Sequence, residues 1–328
     1  MDKMQAALYT RYGSPDVIKV TEVDKPTPQP NEVLVKIYAA SIGAYDVHLL
    51  RGQPFFTRFS SGFFKPRNTI LGADISGIVE SVGGMVQLFK PGDEVYGCLE
   101  SCGKCGLAAG GFAEYVCAKE SVLAPKPTNI TFQQAAAIPM SAVTALQAIR
   151  EKGQVSSGQK VLINGASGGV GPFAVQIAKA FGAEVTGVCS ADGMEMVRAL
   201  GADYIIDYTK EDFTKNEQHY DVMLDIAANR SVADYRKVLN PGGICVVIGF
   251  SSISHRLSLA FAGKKEGKRI TLLAVDNTNG NDLRFFNTLI ESGRVTPTID
   301  SCFSLFEIVQ AMHHAETSHP KGKVVITL

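Results

Sequence analysis

The chain has 328 residues, and its 32 lysine and arginine residues balance its 32 aspartate and glutamate residues. This length exceeds one typical core and favours two domains, while the even charge excludes the basic field of a nucleic-acid-binding protein. No apolar run approaches the ~20 residues of a membrane span, and the amino terminus lacks an apolar signal core. Seven cysteines, an odd number, are typical of a reducing compartment rather than of a disulfide framework. We expect a soluble cytoplasmic protein with no nucleic-acid or membrane partner.

The first 125 residues alternate short β-like runs with turns. The runs are Val33–Tyr38, Ile75–Val82, Val95–Tyr96 and Phe112–Cys117. From about residue 130, helical and strand patterns alternate instead, with strands expected near residues 160–164, 185–189, 204–206, 221–225, 244–248 and 269–275. The first pattern predicts an antiparallel β-barrel, and the second predicts a parallel sheet with helices on both faces.

The end of the chain shows a third arrangement. Two helical patterns, Asn281–Gly293 and Leu305–Ala315, precede a closing strand at Lys323–Leu328. We expect this tail to rejoin the first domain. The predicted domains are therefore a mainly β domain, residues 1–125 with 277–328, and a doubly wound α/β domain, residues 126–276.

A glycine-rich turn interrupts the second pattern at Val161–Gly171, with the sequence VLINGASGGVG. In the dinucleotide-binding turn of a Rossmann domain, glycines let the backbone bend and approach a pyrophosphate, which the following helix binds with its free N–H groups. Gly168, Gly169 and Gly171 meet these needs, whereas Ala166 replaces the first glycine of the G-x-G-x-x-G fingerprint. The pattern predicts a dinucleotide site, and the alternative is a tight strand-to-helix turn without a ligand.

Several sequence blocks occur in a fixed order along nearly the whole chain. They are Leu71–Gly77, Pro91–Gly97, Gly110–Val116, Ala135–Ala145, the glycine-rich turn, Leu200–Tyr208, Pro241–Gly243 and Gly322–Ile326. Together they resemble the zinc-independent quinone oxidoreductases of the medium-chain dehydrogenase/reductase superfamily, of the zeta-crystallin type. This resemblance implies a GroES-like barrel and a Rossmann domain, with hydride transfer from a nicotinamide cofactor in the cleft between them. It also implies a homo-oligomer, most simply a homodimer, paired through the strand at Arg269–Val275.

The same resemblance bears on the metal. Where zinc alcohol dehydrogenases carry a Cys-Gly-x-Asp segment and a Gly-His-Glu segment, this chain has Gly43–Asp46 and Gly72–Asp74. The thiolate and imidazole are therefore missing, and two carboxylates alone do not make a tetrahedral zinc site, so we expect no catalytic zinc. A group of cysteines has three possible interpretations: a structural zinc site, a redox-active pair, or a loop with reduced thiols. We favour the loop. These cysteines are Cys98, Cys102, Cys105 and Cys117.

The second strand of the dinucleotide-binding pattern ends at Val188–Ser190, without the acidic residue that binds a ribose 2′-hydroxyl and repels a 2′-phosphate. A serine there favours NADPH. NADH stays possible because Asp192 either repels phosphate or, as we expect, caps the next helix. The resemblance places Tyr208 against the 2′-phosphate, with Lys210 nearby. Of the expected cofactor-binding residues, the sequence pattern gives Ser167, Gly168, Gly169, Val170 and Ser190, and the resemblance adds Thr144, Tyr208, Gly249, Phe250 and Lys323.

Without zinc, the favourable reaction is reduction of a carbonyl or alkene that is already activated, as in a quinone or an α,β-unsaturated carbonyl. Relatives carry an asparagine in the segment that aligns with Gly43–Asp46, and this chain does not. Tyr45 and His48 are the nearest replacement donors and our candidate catalytic residues. A structural role is open for each, because Tyr45 could only line the pocket and His48 could lie on the surface of a helical turn.

The segment from Gln53 to Arg67 holds five phenylalanines and three basic residues. It is interpreted either as a loop folded onto the barrel or as a hydrophobic lid over a small, planar, apolar substrate. The function we expect is NADPH-dependent reduction of quinones or enones. The alternatives are a zinc-free alcohol or ketone dehydrogenase and a cofactor-binding regulatory pseudoenzyme.

Overall fold

The computed structural model describes residues 2–99, 110–249, 253–273 and 280–328. The chain divides into two compact units. Unit 1 comprises residues 1–143, 276–293 and 297–328, and unit 2 comprises residues 144–275 and 294–296. Most of the tail thus belongs to unit 1, and the first segment of unit 1 runs to residue 143 rather than to the predicted boundary at 125.

Unit 1 opens with a mainly β segment. Its elements are β1 (Lys3–Leu8), β2 (Lys19–Asp24), β3 (Glu32–Ile42), α1 (Ala44–Arg51), α2 (Arg58–Ser61), β4 (Asp74–Val82), β5 (Glu94–Cys98), β6 (Tyr115–Lys119), β7 (Leu123–Pro125) and α3 (Phe132–Ala136), with 3-10 helices at Pro15–Val17, Phe55–Thr57 and Glu120–Val122. In β3, Val35 and Ile37 are buried while Lys36 and Tyr38 are exposed. This alternation is the pattern of a strand with one face in the core.

The chain then passes into the α/β segment. Its elements are α4 (Pro139–Leu146), a π-helix at Gln147–Gly153, β8 (Lys160–Asn164), α5 (Gly171–Ala180), β9 (Glu184–Cys189), a 3-10 helix at Ala191–Gly193, α6 (Met194–Ala199), β10 (Tyr204–Asp207), β11 (Tyr220–Asp225), α7 (Val232–Val238), β12 (Leu239–Val247), α8 (Ile253–Ala260), β13 (Lys264–Lys265) and β14 (Lys268–Leu272). The tail adds α9 (Gly280–Glu291), β15 (Ile299–Ser304), a 3-10 helix at Leu305–Glu307, α10 (Ile308–Thr317) and β16 (Lys323–Thr327).

The main sheet of unit 1 has the strand order β15-β16-β3-β4-β5-β7 over its described residues, with β6 also paired to β3. All of these pairs are antiparallel except β15 with β16. The tail is part of this sheet because Val324–Thr327 pair with Ala39–Ile42 of β3. The predicted mainly β, GroES-like domain is therefore confirmed as a fold.

The sheet of unit 2 has the order β10-β9-β8-β11-β12-β14 with parallel pairing, and β13 adds an antiparallel edge within the described residues. The strand order reverses between β8 and β11, and doubly wound sheets bind ligands beyond the carboxyl ends of the strands at such a point. The predicted Rossmann-type sheet is confirmed.

Residues after 125 join unit 1 through α3. Thr131 and Gln134 form a capping box that starts this helix. Ala136 and Ala137 then pack in a buried cluster with Ala39 of β3, which explains why the contact boundary falls later than the change in sequence pattern. Among the described residues, no helix combines the length and apolar character needed to cross a bilayer.

Candidate cofactor and reduction site

The glycine-rich turn follows β8 at the carboxyl edge of the unit 2 sheet. Gly165, directly after the strand, adopts φ +91°, which glycine takes at little cost. The N–H groups of Gly165 and Ala166 donate to the Val188 carbonyl, at 3.1 and 3.0 Å, and hold the turn against β9. Gly165 is not among the residues that the sequence analysis singles out, although a glycine directly after a buried strand is a signal for such a bend.

Two other glycines in the turn have different surroundings. A Cβ on Gly171 would lie 2.2 Å from the Gly165 carbonyl oxygen, so the packing of α5 against the turn requires glycine. A Cβ on Gly168 would have that same oxygen as its nearest described neighbour, at 3.8 Å, so the protein leaves space there. Gly169 is partly buried, and Val170 is the N-cap residue of α5. Space at the amino end of a helix is what a pyrophosphate needs, so the turn fits a dinucleotide.

The carboxyl ends of β8, β9 and β10 bring three predicted side chains to one edge of the sheet. The Tyr208 N–H donates to the Cys189 carbonyl at 3.1 Å, which places Tyr208 beside Ser190. A Cβ on Gly193 would lie 2.7 Å from Ser167 Cβ, so Ser167 packs against the loop that Ser190 begins. The Tyr208 side chain is largely exposed. Ser167, Ser190 and Tyr208 thus lie in neighbouring segments at this edge of the sheet.

Asp192 does not cap the next helix, and that prediction is wrong. The residue is exposed inside the 3-10 helix Ala191–Gly193, whose N-cap residue is Ser190. Gly193 then precedes α6, with no side-chain cap. The prediction fails because the chain forms an additional turn before α6, which moves Asp192 away from the cap position.

Lys210, expected near the 2′-phosphate, lies 3.6 Å from the Asp207 carboxylate. Hydrogen bonds from Thr209, assisted by Lys210, lower the pKa of Asp207 and favour its charged form. The positive charge of Lys210 is therefore partly neutralised by its own neighbour.

The remaining predicted cofactor residues occupy other places in the chain. Thr144 is buried in α4. Gly249 adopts φ +93° after β12, and no described atom lies within 4 Å of the position that its Cβ would take. Phe250 lies outside the described residues. Lys323 belongs to unit 1, where it begins β16 and is buried.

A buried polar network that the sequence analysis does not identify lies at the same edge of unit 2. The Asp225 carboxylate, which ends β11, accepts hydrogen bonds from the Asn164 amide at 2.7 Å and the Ala228 N–H at 3.0 Å. It also accepts one from the Tyr235 hydroxyl at 2.7 Å, and that oxygen lies 3.4 Å from His255 Nε2. Burial raises the pKa of Asp225, and these donors oppose the shift. Because Asn164 ends β8, the network ties the glycine turn to β11 and α7.

Unit 1 holds a second cluster, at the segments that align with the zinc ligands of alcohol dehydrogenases. The Asp46 carboxylate accepts the N–H groups of Gly43 and Gly72, each at 2.9 Å. Burial raises the pKa of Asp46 to about 6 and also raises the pKa of Asp74. The Lys323 ammonium lies 3.6 Å from Asp74 Oδ2, and both side chains are 3% exposed. A buried lysine thus supplies positive charge beside the two carboxylates.

The residues that the structure describes include no group of three or more His, Cys, Asp or Glu side chains placed to hold a metal ion. Cys98 and Cys117 form no disulfide bond within the part of the chain that the structure describes. Burial raises the pKa of Cys117 to about 11, so this thiol is protonated at neutral pH in the absence of a metal. Cys102 and Cys105 lie outside the described residues.

The two candidate catalytic residues lie on α1. The Tyr45 ring packs against the core of unit 1, and its hydroxyl oxygen is buried. His48 is exposed near the end of the helix, and partial burial of its ring lowers its pKa. His48 is therefore the more accessible of the two to a small molecule, and its imidazole is neutral at pH 7.

Two family models match this chain. The model described as alcohol dehydrogenase GroES-like domain matches residues 29–128, and the model described as zinc-binding dehydrogenase matches residues 200–326. These matches cover most of unit 1 and part of unit 2 with the tail, in agreement with the two folds.

Three similar proteins cover nearly all of the chain. A 2-methylene-furan-3-one reductase of Solanum lycopersicum is 37% identical over 330 residues, covering 99% of this chain and 79% of that protein. A chloroplastic NADPH-dependent alkenal/one oxidoreductase of Arabidopsis thaliana is 34% identical, with the same coverage. The solved structure of a quinone oxidoreductase from Coxiella burnetii is 29% identical, covers 100% of both chains and superposes with a TM-score of 0.89. The chain therefore belongs to the quinone oxidoreductase-like branch of the medium-chain dehydrogenase/reductase superfamily.

Proposed function

We propose that this protein is a zinc-independent reductase that transfers a hydride from NADPH to a quinone or an α,β-unsaturated carbonyl. The observation that carries the proposal is the glycine turn, which leaves space over Gly168 at the start of α5. The names of two relatives, a furanone reductase and an alkenal/one oxidoreductase, describe reduction of conjugated carbonyls and support this reaction class.

The nicotinamide cofactor supplies two electrons as a hydride when it is bound. The backbone N–H groups of Gly169 and Val170 are the proposed pyrophosphate contacts, with the dipole of α5 behind them. The Gly168 N–H instead donates to the Gly165 carbonyl at 3.3 Å and shapes the turn. Ser167, Ser190 and Tyr208 are the proposed contacts of the adenosine ribose and its 2′-phosphate. Because none of these three is a carboxylate, they support NADPH over NADH. The exposed carboxylate of Asp192 keeps NADH as the alternative.

Zinc independence is supported by the cluster in unit 1. The aligned segments have Gly43 and Ala73 at the thiolate and imidazole positions and retain two buried carboxylates, and Lys323 neutralises part of their charge. A carboxylate pair already held by backbone N–H groups and an ammonium has few lone pairs free for a metal.

The acceptor gains the hydride on one atom and a proton on another, so an enone becomes a saturated ketone and a quinone becomes a quinol. The protein must position the acceptor and donate a hydrogen bond to the oxygen on which negative charge develops. His48 and Tyr45 are the proposed donors. A neutral His48 donates through its ring N–H, and water completes the proton balance.

The test is oxidation of NADPH and NADH by metal-stripped enzyme, followed by loss of nicotinamide absorbance, against quinones, enals, enones, simple ketones and alcohols. We expect NADPH oxidation that depends on a quinone or enone and survives chelation. Recovery only with zinc would contradict zinc independence, and reversible turnover of simple alcohols would favour an alcohol dehydrogenase. Tight NADPH binding with no turnover across the panel would favour a regulatory pseudoenzyme. Full activity of both Tyr45→Phe and His48→Ala would contradict the donor assignment.

We also propose that the acceptor is a small, planar, apolar molecule and that the protein forms a homodimer through β14. This strand is the last parallel strand of the unit 2 sheet, and its described ladder with β13 involves Lys268 and Arg269 only. The free thiols among the described cysteines support a reducing compartment such as the cytoplasm.

A further inference from the structure

The surface of unit 1 carries an exposed group of phenylalanines, here called the aromatic strip. It consists of Phe55, Phe59, Phe63 and Phe64, which are 54%, 68%, 44% and 91% exposed. Their ring centroids lie 5.0 to 6.3 Å apart in successive contacts. Exposure of four adjoining aromatic side chains to water is energetically unfavourable. A contiguous apolar surface of this kind marks a binding site on a soluble protein.

The backbone beneath the strip is anchored, so the exposed rings are not the result of a loose loop. The Tyr12 hydroxyl donates to the Gly62 carbonyl at 2.5 Å, and the Arg67 N–H donates to the Ser61 carbonyl at 2.8 Å. The Arg58 guanidinium lies 4.5 Å from the Tyr12 ring centroid and donates to the carbonyl at the end of α1. The segment folds onto unit 1 through these polar groups while its phenylalanines face outward, so only the backbone follows the expectation of a loop folded onto the barrel.

The charged residues of the segment that carries the strip all have the same sign. Between residues 47 and 73 the sequence contains four lysine and arginine residues and no aspartate or glutamate. Arg51 forms a bidentate pair with Glu316, both contacts being 2.7 Å, and Arg58 is stacked as described. Lys65 and Arg67, which follow Phe64 directly in the chain, are exposed. The strip therefore ends at a positively charged surface.

The strip also follows the proposed donors closely in the sequence. The eight-residue helix α1, about 12 Å long, carries Tyr45 and His48 and ends at Gly52. The aromatic strip starts three residues later at Phe55. Along the chain of unit 1, the order is thus a hydrogen-bond donor, an apolar surface and then two cations.

We propose that the aromatic strip, with Lys65 and Arg67, binds the tail of the acceptor: an apolar acyl-type chain that ends in a carboxylate and carries the conjugated carbonyl at its other end. This inference rests on the proposed function. It keeps the planar conjugated head proposed there but replaces the small apolar acceptor with a longer one, an unsaturated oxo fatty acid. The aromatic rings remove the chain from water, and the two cations pair with the carboxylate. The reaction itself is unchanged, because the hydride and the proton still add across the conjugated double bond.

The test uses three enones with one reactive head: a short alkyl enone, a long alkyl enone and a long enone with a terminal carboxylate. For the wild-type protein, we expect kcat/KM to rise at least tenfold from the first to the second and several-fold again to the third. Phe59→Ala/Phe64→Ala should remove the first gain. Lys65→Ala/Arg67→Ala should remove only the second, and it should do so through KM with kcat unchanged.

The matched control is Phe306→Ala/Lys19→Ala, which removes another exposed phenylalanine, 73% exposed, and another exposed lysine of unit 1. This variant should keep both gains. Turnover of all three enones with equal kcat/KM would overturn the inference and leave the proposed function standing. Loss of both gains in the control would overturn it as well.

If none of the three enones is reduced, the enone part of the proposed function fails and the quinone part is left to the acceptor panel. Calorimetric binding of the long carboxylate enone to the protein then decides the inference separately. A Kd at least tenfold weaker in Phe59→Ala/Phe64→Ala than in the control supports it, and equal values overturn it. Sedimentation of the protein with anionic phospholipid vesicles tests whether the aromatic strip binds a lipid surface instead. Vesicle binding that the strip variant loses, together with unchanged enone kinetics, would overturn the inference in favour of a lipid surface.

Discussion

Each glycine in the turn after β8 has its own reason to be glycine. Gly165 needs its positive φ, and Gly171 has no room for a Cβ. Gly168 meets neither condition, because the nearest described atom to its Cβ position is 3.8 Å away. The fold therefore does not require glycine at position 168, although the turn fits a pyrophosphate. A substitution at Gly168 can test ligand binding separately from folding.

We predict that Gly168→Val lowers NADPH affinity at least tenfold, equivalent to about 1.4 kcal/mol, while the melting temperature stays within experimental error. The side chain would occupy the space that the phosphates approach. The measurement is NADPH fluorescence titration with a thermal melt. Gly84→Val is the control, because it also adds a side chain in open space without a positive φ. Unchanged affinity in Gly168→Val would remove the glycine turn from the cofactor site.

Asp46 gives a prediction about pH. Burial raises its pKa from 3.8 to about 6 in the folded protein, with Asp74 adding to the shift and Lys323 opposing it. Between these two values the folded protein binds more protons than the unfolded chain, so this group's contribution to stability falls as pH rises through 6. Asp46→Asn removes the titration, at a fixed cost because an amide cannot accept both backbone N–H groups.

The expected result is that the stability of the wild type relative to Asp46→Asn falls by about 1 kcal/mol between pH 5 and pH 7.5. Urea unfolding at the two pH values measures it. Asp93→Asn, at a partly exposed turn carboxylate that accepts the Lys90 N–H, should show no such change. Parallel pH profiles for the wild type and Asp46→Asn would contradict the assignment of a raised pKa to Asp46.

At the scale of elements, the Asp225 network joins β8, β11 and α7 by side chains far apart in sequence. Asn164 and Asp225 are separated by 61 residues, and Asp225 is completely buried. Ala228, whose N–H this carboxylate accepts, adopts φ +50°, a left-handed conformation that is strained for alanine. The network therefore positions both the strand before the glycine turn and the loop after β11, without itself being part of the proposed ligand contacts.

We predict that Asp225→Asn lowers the free energy of unfolding by about 1–3 kcal/mol and also weakens NADPH binding several-fold. The amide would present a donor to groups that are already donors, which shifts Asn164 and the turn that follows it. Calorimetric titration with chemical unfolding measures both effects. Asp212→Asn, at a partly exposed carboxylate that caps the Thr214 turn of the same unit, should leave NADPH affinity unchanged. Equal effects of the two substitutions on affinity would contradict a positioning role for Asp225.

The sequence predicts well what local patterns encode. Strands such as β8 and β9 are short runs of buried aliphatic residues, and glycines mark the turn between β8 and α5, so the elements and their parallel order can be read in advance. The network around Asp225 cannot be predicted from the sequence, because no local pattern shows that Asn164 and Tyr235 contact the same carboxylate. The prediction that Asp192 caps a helix is wrong for a related reason, because a 3-10 helix of one turn produces no periodic pattern in the sequence.

At the scale of the whole molecule, the change in sequence pattern and the change in packing occur at different residues. The sequence pattern changes from strands and turns to alternating helices and strands near residue 130. Helix α3 still packs on β3, so unit 1 continues to residue 143. The tail shows the same principle, because residues 294–296 belong to unit 2. There the Gln176 side chain bonds both backbone groups of Thr296. Boundaries of this kind depend on tertiary contacts, which a single sequence does not display.

The edge of the unit 2 sheet provides the last prediction, which concerns assembly. Strands β13 and β14 form a hairpin whose turn residues, Glu266 and Gly267, have φ values of +56° and +77°, as in the turns that suit a two-residue hairpin. The hairpin strands carry four positive charges, from Lys264, Lys265, Lys268 and Arg269. Pairing of β14 with a second copy about a twofold axis brings these charges towards their own counterparts, so repulsion opposes the proposed dimer.

We therefore predict a dimer that is favoured by salt. Raising the ionic strength from 0.01 to 1 M shortens the screening length from about 30 to about 3 Å, and light scattering after gel filtration should show the dimer fraction rising with it. Lys264→Glu/Lys265→Glu should give a dimer already at low salt, because the reversed charges pair with Lys268 and Arg269 of the other copy, whereas Lys19→Glu in unit 1 should behave as the wild type. A monomer under every condition would contradict the dimer. A dimer whose stability changes neither with salt nor with the charge reversal would place the interface away from β14. In either case, the basic hairpin would serve to keep the edge of the sheet unpaired.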